Sequence, residues 1–432
     1  MADALRVAVL GAGIAGSALA ILLARRGAVV TLFDDGRRPE LVVGESLVPA
    51  VVPILRRLGI EEVTATFSRV KPGVSFVWSK TDRASFSFAR FAPGVFPYAY
   101  NIPRPQFDEA LLVHAVTAGA HKVVAKARLE RAPDSGMGPE LALTAETLAA
   151  APSLGGRQPH LIVDATGRVR HAARVLGIGA HVGPRRDVAH FAHYEGFRWD
   201  DAPGQVLISR LAAGWSWCIP LMDRLSIGIV LGQDAAAELG RTPEERLAHA
   251  ITSDSWLAGI ANDAKRVSAV ATYSNYQLVS QRTAGPGWVM VGDAFGFVDP
   301  MLSPGVFLAL HSAETVANAL SPMLEGRTPP SPASLARALE PYTLGHAAAL
   351  KSWTELVAYL YDGRLLALMR AGREWMEGGS GPFKTAVQDH IERHIALQAS
   401  GMGTMSPYSR GLLSFLGRYG LRGVAPSELA IK

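Results

Sequence analysis

Arg6-Val-Ala-Val-Leu10 runs directly into Gly11-Ala-Gly13-Ile-Ala15-Gly16. The first five residues read as a short apolar strand and the glycines as a tight turn. Ser17 to Arg26 has the spacing of a helix, and Val29 to Phe33 reads as a second strand ending in Asp34-Asp35. That order is a βαβ unit. Gly11, Gly13 and Gly16, with Ala15 inside the turn, let the backbone approach a pyrophosphate at a helix N-terminus, where unpaired N–H groups and the helix dipole favour negative charge. Asp34, at the strand end, is placed to accept ribose hydroxyls. The reading predicts a dinucleotide site.

Outward from this unit, Phe107 to Ala118 predicts a helix, and His160 to Asp164 a strand entering the turn Ala165-Thr166-Gly167. Val74 to Phe91 alternates apolar and polar residues, as in Val74-Ser-Phe-Val-Trp78, which predicts a hairpin. Strand signals return from Val188 to Leu278. The nucleotide-binding unit is therefore interrupted, with a second sheet inserted in pieces. Residues 142–158 read as a surface loop or irregular hairpin, Ser321 to Ser334 as a Pro-rich linker, and Leu335 to Leu397 as helices. The expected fold is α/β: a Rossmann-like dinucleotide-binding domain (1–70, 100–185 and 285–325), an inserted, mostly antiparallel β-sheet domain (71–99 and 186–284), and a C-terminal helical region (326–432).

Composition narrows the function classes. With 432 residues, 49% of them hydrophobic and 19% charged, the chain can bury a large core. Its single cysteine, Cys218, excludes an internal disulfide and a Cys-based zinc cluster, and points to a reducing interior, so the cytoplasm is expected. No metal site is expected. Residues 5–24 are apolar, but the glycines fit a strand-turn-helix better than a membrane span or signal peptide. A net charge of +5 without a basic run gives no footprint for nucleic acid.

A second signature, Gly292-Asp293-Ala294, follows the apolar strand Trp288 to Val291. It resembles the flavin-ribityl contact of the FAD-monooxygenase superfamily. The resemblance implies Asp293 on the ribityl chain, Arg104 near the flavin, and Gly44-Glu45-Ser46 as a mobile cofactor loop. In aromatic hydroxylases an Asp-Gly pair shared with NADPH is expected where this chain has Asp164-Ala165. That departure implies reduced flavin from a separate NAD(P)H-dependent flavin reductase.

Three further segments resemble the flavin-dependent halogenases, a likeness that runs along most of the chain. The first is Trp215-Ser-Trp217-Cys-Ile219-Pro220, their W-x-W-x-I-P. Alternation puts both indoles on one face of the strand, and the resemblance makes them a barrier between flavin and organic substrate. The second is Lys71-Pro-Gly-Val-Ser-Phe-Val-Trp78, similar to the family's K-x-G-x-x-F-x-W. Lys71 is one of eight lysines; desolvated, it has a lowered pKa and serves as nucleophile or as donor to hypohalous acid. The third is Phe297-Val-Asp-Pro300-Met-Leu-Ser303-Pro-Gly305, with Val306 following. In the family its last backbone N–H groups seat the halide beside FAD, assigning Ser303 and Gly305 to the halide and Pro300, Gly305 and Val306 also to the cofactor.

Two departures carry weight. Pro304 has no N–H, so the weakened seat favours bromide, which surrenders less hydration than chloride. Leu302 stands where the tryptophan-halogenating branch has a glutamate, which implies the other branch and an electron-rich phenol, pyrrole or indole. The chain is also shorter than the tryptophan halogenases, which suggests missing lid segments and an open site suited to larger or carrier-protein-bound substrates; the expected partner is a small aromatic or carrier-protein-bound substrate. The expected function is a two-component, FADH2-dependent halogenase using O2 and halide, with hypohalous acid passed to Lys71. A hydroxylase or oxidoreductase of the same fold without halogenation, and a non-catalytic flavin-binding module, fit the same residues.

Overall fold

The computed structural model describes residues 4–79, 82–133, 136, 138–274, 277–324, 326, 328–379, 381–421 and 425–431. Arg6–Leu10 and Val29–Asp34 pair in parallel, Arg6 opposite Val29, and the Ile14–Ala24 helix crosses between them. Leu161–Asp164 lies on the other flank of Arg6–Leu10, and Trp288–Met290 beyond it. With His121–Val124 and Ala284–Gly285 at the edges, this gives a six-stranded sheet, parallel except at the Ala284–Gly285 edge. Val7, Val9, Ala18, Leu19, Ile21 and Val163 have no exposed surface. A sheet covered on both faces by helices needs such unbroken apolar strands.

The second sheet has eight strands. Its centre is Asp187–Glu195, Leu225–Gly232, Trp215–Pro220 and Val206–Arg210, antiparallel throughout. The hairpin Gly73–Val77 with Arg83–Ser87 joins it through a parallel pairing of Val74 with Val206. Its two faces feed different cores. Trp215, Trp217 and Ile219 pack into the large core shared with the nucleotide-binding sheet, while Cys218, Leu207 and Ile227 pack under helices on the far side. Alternation along one strand thus divides the molecule.

The strands expected between Val188 and Leu278 are present, but those far-side helices, Gln233–Leu239, Pro243–Ser253 and Ser255–Ala261, interrupt them. Their start signals are local. Thr242 Oγ1 accepts the Glu245 N–H while the Glu245 carboxylate accepts the Thr242 N–H, and Asp254 accepts from Trp256 and Leu257. The expected linker Ser321 to Ser334 is also shorter. The Pro304–Leu324 helix runs through Pro322, which removes one hydrogen bond only in the last turn, and the next helix starts at Pro332 behind the Ser331 cap. Residues 142–158 are not all loop either: Leu141–Leu143 pairs with Leu129–Arg131, and Thr144 caps a short helix Ala145–Ala149. Gly292–Ala294 is one 3-10 turn leading to the short strand Gly296–Phe297.

Helices Pro332–Tyr361, Arg364–Glu377, Pro382–Ala399 and Pro407–Tyr419 complete the chain. Trp353, Leu360 and Tyr361 bring the first of them into the same core as Trp215. Among the described residues no helix is long and apolar enough to cross a membrane.

Candidate active site

The glycine turn is shaped by sterics. Gly11 has φ +104°, and a Cβ there would lie 2.5 Å from the Ala165 oxygen; at Gly16 it would lie 2.0 Å from the Gly11 oxygen. Gly11 and Gly16 therefore close the turn against its neighbours. Gly13 differs: a Cβ on it would meet nothing within 4 Å, and as N-cap of the helix it offers no side-chain cap to the first-turn N–H groups. An open space over uncapped amides is the cradle a pyrophosphate requires.

From Gly13 and Ala15 a cavity runs inward past Gly44, Glu45 and Ser46 to Gly292 and Asp293. Arg104 fixes this region: its guanidinium forks onto Asp108 at 3.0 and 2.9 Å and donates to the Val43 carbonyl, holding Gly44 at φ +99°. Asp293 has no hydrogen-bond partner among the described residues. Burial raises its carboxyl to about 6 against the pull of Arg104 and Arg168. A carboxyl without partners at a cavity wall suits a polyol hydroxyl, so the residues present fit an FAD.

The inner end of the cavity is aromatic. Trp215, Trp217 and Ile219 line it, with Tyr273 and Arg168, which the sequence reading missed. The two indoles lie 5.7 Å apart at 48°, and Phe191 continues the row between Trp217 and Tyr273. Gly228 seats Trp217, since a Cβ there would fall 2.1 Å from Trp217 Cζ2. Pro300, Ser303, Gly305 and Val306 line the same cavity. Leu302 and Ser303 both adopt left-handed backbone, φ 64° and 60°. The Ser303 N–H is spent on the Pro300 carbonyl at 2.9 Å, so this residue offers the cavity a hydroxyl rather than an amide, and the free N–H groups begin at Gly305.

Gly11 and Gly16 shape the turn without lining the cavity, and three further expected residues lie off this surface. Pro220 turns its carbonyl to Asn101 Nδ2 at 3.0 Å. Asp34 takes a two-pronged hydrogen bond from Arg38, at 2.8 and 2.9 Å, and the Gly36 N–H. Burial alone would raise its carboxyl, but these partners hold it below its ordinary value. Ribose hydroxyls would have to share it with Arg38. Lys71 is 3% exposed and does not itself line this cavity. Its Nζ donates to Ser46 Oγ at 2.8 Å and to the Leu47 carbonyl at 2.9 Å, and reaches the cavity through Ser46. Burial lowers it from 10.5 to about 7. Beside it, Glu45 Oε1 lies 2.7 Å from His193 Nε2, both buried.

A second cavity of about 380 Å³ lies between the Pro304–Leu324 and Pro332–Tyr361 helices and the turn at residues 401–406. Phe307, His311, Trp353 and Met405 line it. It shares no residue with the first: Val306 faces one, Phe307 the other, as consecutive positions of a helix do. The Trp353 indole N–H and His311 Nδ1 are buried without partners among the described residues. Trp353 Cζ2 lies near Gly401, and a Cβ on Gly401 would also touch Val48, one residue past Leu47. Lys71 thus sits beside the layer between the cavities. No sequence motif marks this second cavity.

The fold and first cavity define an FAD flavoprotein, and comparison with known proteins gives the family. A model described as tryptophan halogenase matches residues 6–95 and 201–327. Tryptophan 2-halogenase of Chondromyces crocatus is 30% identical over 365 residues, 83% of this chain and 68% of that one. A flavin-dependent halogenase of Armillaria mellea, armH4, is 27% identical over 350 residues, 73% of this chain; the match spans 65% of its length. The structure of flavin-dependent brominase Bmp2 superimposes with a TM-score of 0.76 at 21% identity, covering 95% of this chain and 98% of that one. The myxobacterial chondrochloren halogenase CndH gives 0.72 at 26%, with 83% and 82% covered. The chain belongs to the flavin-dependent halogenase family. It is a flavoprotein oxidoreductase whose cofactors are FAD and a halide ion.

Proposed function

We propose that this chain is a two-component halogenase of the non-tryptophan branch, acting on an electron-rich phenol, pyrrole or indole, free or carrier-bound. The net reaction is ArH + X⁻ + O2 + FADH2 + H⁺ → ArX + FAD + 2 H2O. Gly13, Ala15, Gly44, Arg104, Gly292 and Asp293 would hold the cofactor, which, reduced, supplies with oxygen the equivalent that converts halide to hypohalous acid. A separate NAD(P)H-dependent reductase would supply FADH2, in keeping with Ala165.

The single observation that carries the reading is Lys71, buried and bonded to Ser46 on the cofactor cavity. Two acceptors satisfy the two N–H bonds of a neutral amine, whereas the third N–H of an ammonium would meet only the Phe88 ring, whose centroid lies 5.6 Å from Nζ. The amine therefore acts as nucleophile: R–NH2 + HOX → R–NHX + H2O, then R–NHX + ArH → R–NH2 + ArX. The ring proton replaces halogen on nitrogen, so no carboxylate is needed at Leu302. The indole wall shields the oxidant from water and from the arene. The arene would enter by the second cavity, its oxygen or nitrogen facing the Trp353 N–H, and the layer at Val48 and Gly401 that separates this cavity from Lys71 would have to part for the halogen transfer. Pockets from ~300 Å³ upward hold small ligands, and the second cavity reaches about 380 Å³.

The test is incubation with FAD, a flavin reductase, NADH and bromide against phenols, pyrroles and indoles, read by mass spectrometry. Brominated product should appear and vanish in Lys71→Ala while FAD affinity stays unchanged. Pro304 and the spent Ser303 N–H favour a second reading, an oxidoreductase without halogenation, which predicts an oxidised product independent of halide.

A further inference from the structure

Behind the first cavity, three distant segments meet in a buried chain of polar groups. The Trp215 indole N–H donates to Tyr361 Oη at 2.8 Å. Tyr361 Oη in turn lies 3.3 and 3.4 Å from the two carboxylate oxygens of Asp299 and donates between them. Asp299, with no exposed surface, also accepts the Met301 N–H at 2.9 Å and Gln277 Nε2 at 3.3 Å. Arg185 stacks 3.8 Å over the Tyr361 ring and is held by Asp187 at 2.6 Å.

Neither Tyr361 nor Asp299 lines the cavity, whereas Trp215 does, and so do Phe297, Pro300 and Ser303 from the loop around Asp299. The chain therefore ties an indole that lines the cavity to a loop that also lines it, through the last residue of the Pro332–Tyr361 helix. We propose that Tyr361 and Asp299 are positioning residues that fix the distance between the Trp215 barrier and the halide loop, so that the C-terminal helix sets how completely the oxidant is captured by halide. This rests on the barrier reading above.

Its chemistry is consistent with a strut. A planar indole can pivot about χ1 and χ2, and one short hydrogen bond at its only polar atom removes that freedom. The Tyr361 hydroxyl is suited to the role because it accepts from nitrogen and donates to carboxylate at once. Burial raises Asp299 to about 7, with Asp187 adding to the rise and the Met301 N–H, Arg185 and Gln277 opposing it. A poorly solvated carboxylate of this kind binds its hydrogen-bond donors strongly.

Where the barrier slackens, FADH2 + O2 → FAD + H2O2 competes with halogenation. In Tyr361→Phe the hydrogen peroxide released per halogenated product should rise about five- to tenfold, the size of one lost buried hydrogen bond. FAD affinity should stay within about twofold, because no cofactor contact is removed. In a Trp215→Phe background, Tyr361→Phe should add no further leak. Asp299→Asn, which keeps the shape, should leak less than Tyr361→Phe and more than wild type. Independently of turnover, ¹⁵N-indole-labelled protein without cofactor should show the Trp215 N–H resonance, assigned by its loss in Trp215→Phe, shifting and exchanging faster with water in Tyr361→Phe. An unchanged resonance, or an unchanged peroxide ratio in a folded Tyr361→Phe protein, would overturn the proposal. Absence of halogenated product from wild type would instead remove the function proposed above and leave the resonance test standing.

Discussion

At the scale of single residues, Lys71 sets function against stability. Unfolded, its amine titrates near 10.5; folded, burial puts it at about 7. Between these values the unfolded chain binds more protons than the folded one, so this group's contribution to stability rises with pH from 7 to 10.5. Its cost is greatest below 7 and gone above 10.5. Lys71→Met should therefore abolish halogenation yet stabilise the fold by ~1–3 kcal/mol at pH 7, an apolar side chain replacing a buried ionisable one. Denaturant titrations of both proteins at pH 6.5, 8 and 9.5 measure this; a gain that does not shrink with rising pH would contradict the assignment. Pro304 supplies the second residue-scale prediction. It begins the helix whose next residue, Gly305, is the first with a free N–H toward the cavity. Pro304→Ser adds one donor, and chloride, the more strongly hydrated anion, should gain more from it than bromide. The bromide-to-chloride ratio of kcat/KM should fall about fivefold, the effect of one hydrogen bond to an anion. An unchanged ratio would dissociate this turn from the halide.

At the scale of elements, the Trp215–Pro220 strand works because its neighbour leaves room. Trp217 lies over Gly228 of the adjacent strand, where Trp217 pairs with Gly228 in register. Gly228→Ala would drive a methyl into the ring, so Trp217 must tilt into the cofactor cavity. We expect a loss of ~1–3 kcal/mol from overpacking and weaker FAD binding, seen as a smaller rise in melting temperature on adding FAD. An equal rise would mean that the wall tolerates rotation. This pairing also shows what the sequence could and could not reveal. The period of two in Trp215-Ser-Trp217-Cys218 placed both indoles on one face, as the split between the two cores confirms. Nothing local named Gly228 as the seat, because cross-strand register depends on the turn between strands rather than on either strand alone. Conversely, the helices between Gln233 and Ala261 had legible signals in Thr242-Pro243-Glu244-Glu245 and Asp254-Ser255-Trp256, which the surrounding strand pattern masked.

At the scale of the whole molecule, the cofactor side was written in contiguous motifs and the other side was not. Gly11 to Gly16, Gly292-Asp293 and Phe297 to Gly305 are short turns whose backbone shape fixes their residues, and the structure gathers them around one cavity. The second cavity gathers Phe307, His311, Trp353 and the turn at residues 401–406 from three elements. Only tertiary packing brings them together, so no spacing rule finds them. Its polar signature is structural: a Trp353 N–H without a partner is a standing penalty unless something accepts it. Trp353→Phe removes the donor and keeps the aromatic wall. If an arene oxygen or nitrogen accepts that N–H, the KM for the organic substrate should rise about five- to tenfold with kcat and FAD affinity nearly unchanged, because binding rather than the transition state loses the bond. The folded protein should be no less stable, since the unsatisfied group leaves with the indole. The two outcomes separate a ligand from solvent. Were water the usual acceptor, stability would fall and KM would stay where it was, and the arene would have to bind elsewhere.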